Sequence, residues 1–170
     1  LNPAEIPSVE ELKARVKTFA EGLMQLKAAP PVAEYYNGPI MFEGGAVATI
    51  LANNLLYCGG LIAARSLMPT GRGLADQFGQ KIVDERLTVK NYTNKKEYNG
   101  TPLYGYYEVD GDGVTPEPEM VLVEKGVFKK MLNGRIPALK APETTGSSRF
   151  IMSPQSPTLV TGTGTIHVQA

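Results

Sequence analysis

Apolar residues at Val9, Leu12, Val16, Phe19, Leu23 and Leu26 recur at alternating steps of three and four. That spacing lays one stripe along a helix and predicts an amphipathic element from about Pro7 to Ala28, ended by Pro30-Pro31. Ser8-Val9-Glu10-Glu11 has the form of a capping box, in which the Ser8 side chain accepts from the Glu11 amide and Glu11 reaches back to the Ser8 amide. The stripe obeys heptad rules but runs for under three heptads, short for a coiled coil. The expectation is a surface helix packed on a neighbouring domain.

Beyond it the pattern changes. Val32 to Phe42, with Tyr35-Tyr36, a turn at Asn37-Gly38-Pro39 and then Ile40-Met41-Phe42, reads as a short strand. Glu43 to Ala52, continuing through Leu55-Leu56, is apolar nearly all round and stops at Gly59-Gly60, which predicts a buried helix. Met68 to Gly73 reads as a loop without the Lys-Ser/Thr ending of a phosphate-binding loop. A short helix is expected at Leu74 to Gly79 and a strand around Leu87-Thr88-Val89. Asn91 to Thr101 is polar and reads as an exposed loop.

Tyr104 to Val109 alternates weakly and leads into Asp110-Gly111-Asp112-Gly113. Met120 to Val123, the pair Lys125-Gly126 and Val127 to Leu132 then read as a hairpin. Pro137 to Arg149 looks irregular. Thr158-Leu159-Val160 and Thr165 to Val168 flank a Gly-Thr-Gly turn. A helical first third followed by strands and hairpins makes the fold class α+β, with a linker helix at 1–30 and one α+β domain at 31–170. Leu1 and Ala170 both read as cuts within a longer chain.

Composition narrows the chemistry. The 170 residues hold 17 Lys+Arg against 17 Asp+Glu, one His and one Cys, so nothing favours a clamp on nucleic acid. His167 and Cys58 alone cannot build a His/Cys zinc cage. Cys58 reads as a small core residue and His167 as an exposed strand residue, facing away from Ile166 and Val168. The acidic turn at Asp110 fails as an EF-hand calcium loop, because the twelfth position is Val121 where a glutamate is needed. Asn91-Tyr92-Thr93 and Asn99-Gly100-Thr101 are glycosylation-type triplets and read as turn residues. No apolar run reaches the roughly 18–20 residues of a membrane span, and an intracellular, cytoplasmic location is the expectation.

Four segments in order carry a resemblance. They are Gly38 to Ala48, Leu74 to Lys81 with Leu87 to Val89, Asp110 to Val114 followed by Val121 to Val127, and Thr144-Thr145-Gly146. Together the chain resembles the TldD/PmbA family, TldD/TldE metallopeptidases also called modulators of DNA gyrase, over roughly residues 30 to 150. In that last segment family members carry Asn where this chain has Ser147, while Arg149 remains. Catalytic members carry His-Glu-x-x-x-His on the buried helix and a later Cys. Carried across, the histidine positions fall on Phe42 and Val47 and the acid on Glu43. Phe and Val cannot ligate zinc, so the resemblance implies no cofactor in this chain, although catalytic members hold zinc. Glu43 is then a vestigial catalytic residue, and a carboxylate in the first turn of a helix is also what the helix dipole favours.

The departure points to the metal-free PmbA/TldE branch. It implies a non-catalytic scaffold or partner subunit, in a homo- or hetero-oligomer with a TldD-like subunit, acting on unfolded or leader-type peptides without nucleic acid or membrane. Peptide capture by strand addition to a sheet edge would suit that role. An active zinc peptidase with its ligands outside these residues is the alternative. A gyrase modulator acting by protein binding, or direct DNA binding, is the weaker one.

Overall fold

The computed structural model describes residues 6–32, 34–57, 60–62, 74–136, 141–152 and 157–169. The chain divides into two units, Leu1–Met41 and Phe42–Ala170.

In the first unit, α1 (Val9–Ala28) forms where the spacing predicts it, with both capping-box bonds present. The Glu11 amide donates to Ser8 Oγ at 3.2 Å, and the Ser8 amide donates to Glu11 Oε2 at 2.8 Å. The Ser8 amide and then the Ser8 hydroxyl, both donating to Oε2, hold the Glu11 carboxyl below its usual range. None of the helix's residues is buried. The strand predicted between Val32 and Phe42 does not form among the described residues. Pro39 has no N–H to give a ladder, and Tyr36 Oη donates back to the Pro39 carbonyl at 2.8 Å, closing a local turn instead.

The second unit opens with α2 (Gly45–Leu51), which runs into a π-helical segment, Ala52–Tyr57. The predicted buried helix is therefore corrected. No residue of α2 is buried, and only Leu55 and Leu56 in the wider turns join the core. The π segment is followed by Leu61, whose amide donates to the Leu55 carbonyl at 2.8 Å. Ile62 forms a parallel bridge to Leu132. A 3-10 turn at Leu74–Gln77 stands where a short helix is expected. The predicted loop at Met68 to Gly73, and Cys58, lie outside the described residues.

Strands β1 (Thr88–Tyr92), β4 (Glu119–Glu124), β5 (Val127–Phe128) and β8 (Thr165–Gln169) make one antiparallel sheet in the order β5-β4-β1-β8. Between β1 and β4, β2 (Glu97–Tyr98) and β3 (Thr101–Pro102) form a small hairpin, and β6 (Ser148–Met152) pairs with β7 (Pro157–Thr161) in another. The alternation in Met120-Val121-Leu122-Val123 puts Met120 and Leu122 fully inside, and they join Val89, Val123, Phe128 and Leu132 in the core. The predicted hairpin is present. Its turn, Lys125-Gly126, has positive φ at both residues (46° and 79°), as a two-residue hairpin turn of matching twist requires. A Cβ on Gly126 would lie 2.6 Å from the Val83 carbonyl oxygen, so glycine is needed for space as well.

The polar stretch from Asn91 to Thr101 is not simply an exposed loop. Asn91, Tyr92 and Thr93 are buried, because Asn91 and Tyr92 belong to the central strand β1 and pair on both sides. Only Asn99-Gly100 behaves as a turn, with positive φ at both. The fold is α+β, as its pattern of elements predicts.

Candidate functional site

Phe42-Glu43-Gly44 leads into α2, and Gly44 is the N-cap. Glu43 thus sits one residue outside the helix. No side chain caps this end, and no acidic residue lies in the first turn. The carbonyl of Glu43 takes the Ala46 amide at 3.3 Å, so its backbone rather than its carboxylate serves the helix. That corrects the dipole role expected for the side chain. Phe42 is half exposed and Val47 stands at the edge of exposure. Both side chains are hydrocarbon and offer a cation no donor.

The Asp110 turn and the Thr144 to Arg149 segment come together elsewhere. Asp110 is buried, and its Oδ1 accepts from the amides of Asp112 (2.9 Å) and Val114 (2.8 Å). Its Oδ2 accepts from the Ser148 amide at 3.0 Å. Asp112 Oδ2 accepts from the Arg135 amide at 3.0 Å and from Ser148 Oγ. Both carboxylates are occupied by the backbone and hydroxyl groups of this chain.

Asn133 organises the adjoining segment from within. Its Oδ1 accepts from the Thr145 amide and its Nδ2 donates to the Ala141 carbonyl, at 2.8 and 2.7 Å. Thr145 Oγ1 meets both the amide and the carbonyl of Asn133. Ser147, at the family's Asn position, is fully buried, lies 3.0 Å from Thr145 Oγ1 and donates its amide to the Asn133 carbonyl. Tyr107 Oη donates to the Gly146 carbonyl at 2.8 Å, and burial pushes its phenol up. The Arg149 guanidinium stacks 3.2 Å from the Tyr107 ring centroid and donates to the Thr163 carbonyl at 3.1 Å. Burial pulls its own pKa down.

Recesses among the described residues include two on this unit. One, of about 550 Å³, has Phe78, Met120 and Met131 as apolar lining beside Lys130, Glu143 and Thr145. The second, of about 220 Å³, lies against β8 between Tyr92, Tyr98, Lys95 and His167. His167 does lie opposite the core-packed Ile166 and Val168, but it is half-buried between two tyrosine rings rather than freely exposed.

A family model described as the PmbA/TldA metallopeptidase C-terminal domain matches residues 36–168. The chain belongs to the TldD/PmbA family. Among solved structures, TldE from Thermococcus kodakarensis is similar at 20% identity and TM-score 0.43, over 56% of this chain and 20% of that one. A candidate modulator of DNA gyrase from Bacteroides thetaiotaomicron is 18% identical with TM-score 0.38, over 56% and 18%. Another from Thermotoga maritima is 23% identical with TM-score 0.35, over 49% and 17%. The part of each structure that is matched is thus a fifth of its length or less. Comparison with curated proteins finds no significant match.

Zinc, which the family's metallopeptidases imply, needs three or four converging N, S or O donors. Phe42 and Val47 supply none, and no group of three His, Cys, Asp or Glu side chains converges among the described residues. The described residues do not fit that metal. Nor is any helix among them long and apolar enough to cross a membrane.

The TldD/PmbA motif residues therefore do not form one site: Leu74–Gln77 make the 3-10 turn, Val89 belongs to β1, and Val121 to Val127 span the β4–β5 hairpin. Phe42, Glu43 and Val47 gather at the start of α2. The Asp110 turn and the Thr144 to Arg149 segment lock into one hydrogen-bonded hub. Asn133 and Tyr107, which the hub depends on, carry no local sequence signal, since their partners lie 12 and 39 residues away.

Proposed function

We propose that this chain is a metal-free part of a TldD/PmbA-family protein. It acts as a non-catalytic scaffold or partner subunit beside a zinc-bearing, TldD-like subunit, in proteolysis of unfolded or leader-type peptides. One observation carries the reading: hydrocarbon side chains, Phe42 and Val47, stand where zinc-binding members carry histidines. A carboxylate without a metal has no polarised water to deprotonate, so Glu43 is vestigial in this reading. The same reading places the protein in the cytoplasm, apart from nucleic acid and membrane.

Elemental analysis of the purified chain is the test. The expected result is zinc far below one per chain and no hydrolysis of an unfolded peptide. Stoichiometric zinc that tracks peptidase activity would overturn it.

A second reading is favoured by the short span of the chain against its structural neighbours. In it, ligands on other residues of the parent protein complete a zinc site. Full-length protein assayed on an unfolded peptide, with and without chelator, separates the two. Chelator-sensitive hydrolysis that survives Glu43→Gln supports ligands and base elsewhere, and inactivity in both samples opposes it. Gyrase modulation, for which two of the structural neighbours are named, would act here through protein contact, given equal numbers of acidic and basic residues. Salt-dependent binding of the chain to DNA would contradict that form of it.

A further inference from the structure

Six apolar side chains of α1 stand 44–71% exposed, from Leu12 to Leu26, on a helix none of whose residues is buried. Amphipathic helices ordinarily turn such a stripe onto another surface. With Val9, Val16 and Leu23 at heptad position a and Leu12, Phe19 and Leu26 at d, the bordering e and g positions are Ser8, Lys13, Arg15, Ala20, Gly22 and Lys27. Every charged residue along the border is basic. The three glutamates of α1, Glu10, Glu11 and Glu21, sit at outer positions, and Glu11 is already engaged by the cap. No ion pair among the described residues takes Lys13 or Lys27, and Arg15 makes none either, although its charge helps hold the Glu11 carboxyl down. At Gly22 an added Cβ would meet nothing within 4 Å, so the middle of the border is open to close approach.

We propose that α1 is a docking surface for an amphipathic helix of a partner protein whose own apolar seam is bordered by carboxylates. Border charges of opposite sign are what select partners in paired helices. A second copy of this chain supplies none. Antiparallel pairing would set Lys13 against Lys27 and Arg15 against Arg15. Parallel pairing would set the three cations against Ser8, Ala20 and Gly22. A lipid surface fits less well, because it calls for a strongly basic polar face, and α1 carries four basic residues against three acidic ones. The proposal does not rest on the metal reading.

Two synthetic peptides test it, with identical leucine seams and either Glu or Lys at every bordering position. Each is titrated with the whole chain and followed by fluorescence anisotropy. The Glu-bordered peptide should bind roughly tenfold tighter or better, with a preference that shrinks as salt rises. The K13E/R15E/K27E variant, with its helix content checked by circular dichroism, should invert the preference. If that variant loses its helix, the peptide pair on the unaltered chain decides alone. Equal affinity for the two peptides, or no binding of either, would overturn the proposal. So would binding only to vesicles containing phosphatidylglycerol, or self-association through α1 that the Glu-bordered peptide does not displace.

Discussion

The strand-rich sheet and α1 place their apolar residues in opposite ways. In the sheet, Val89, Leu122, Val123 and Phe128 are fully buried and pack into one core. On α1 an equally regular pattern leaves every apolar residue of the stripe open. The two regions show that periodicity decides what an element is, while burial depends on what the chain brings against it. Stability should therefore be concentrated in the sheet and its hydrogen-bonded hub, and the surface chemistry of α1 should be left to a partner.

The sharpest way to break that contrast is to remove its most buried ring. Phe128→Ala deletes a fully buried side chain that packs 4.8 Å from Phe78, centroid to centroid. It should cost about 3–5 kcal/mol in urea unfolding. A loss near that of a surface substitution would mean the sheet is not the stable part. Next comes Asp110→Ala, which strips a buried acceptor from three backbone amides. About 3 kcal/mol is expected, since orphaned buried donors are costly. No loss at all would show that the carboxylate is not a structural anchor.

Smaller effects belong to α1. Ser8→Ala removes one half of the capping box and should cost about 1 kcal/mol of helix stability, read as lower helix content. The cap also has a pH dependence. Glu11 is held below its usual value when folded, so its contribution is complete above the ordinary glutamate pKa and fades as the pH falls through the lowered one. Helix content that rises on acidification would contradict the sign. The smallest change is Leu23→Ala, expected within about 0.5 kcal/mol because an exposed leucine has little packing to lose. A loss as large as that of Phe128→Ala would show that the stripe is already covered.

Legibility followed the same divide. The capping box, the α1 boundaries and the Lys125-Gly126 hairpin were readable because their partners lie within a few residues. The strand expected near Tyr35 failed because a strand needs a neighbour and Pro39 offers no ladder donor. The helix after Glu43 was assigned correctly in kind, but its burial was overstated, since an all-round apolar pattern specifies a need for cover and not its presence. The polar residues at Asn91 to Thr93 misled for the opposite reason. Asn91 lies inside because its Oδ1 takes the Gly164 amide at 2.8 Å, 73 residues away, which no local pattern announces.

At the candidate site, residue identity alone decided part of the answer. Phe42 and Val47 carry no lone pair for a metal whatever the fold does, and Glu43 has an acid's chemistry only if something activates water beside it. What the tertiary structure alone decided is where the other acids go. Asp110 and Asp112 form a suggestive pair in the sequence, yet folding turns their oxygens onto amides and a hydroxyl from residues up to 38 positions away. Bonds within one turn are written in local spacing. Bonds between distant segments exist only once the sheet has closed, and so the hub, the half-buried His167 and the uncovered face of α1 had to be seen in three dimensions.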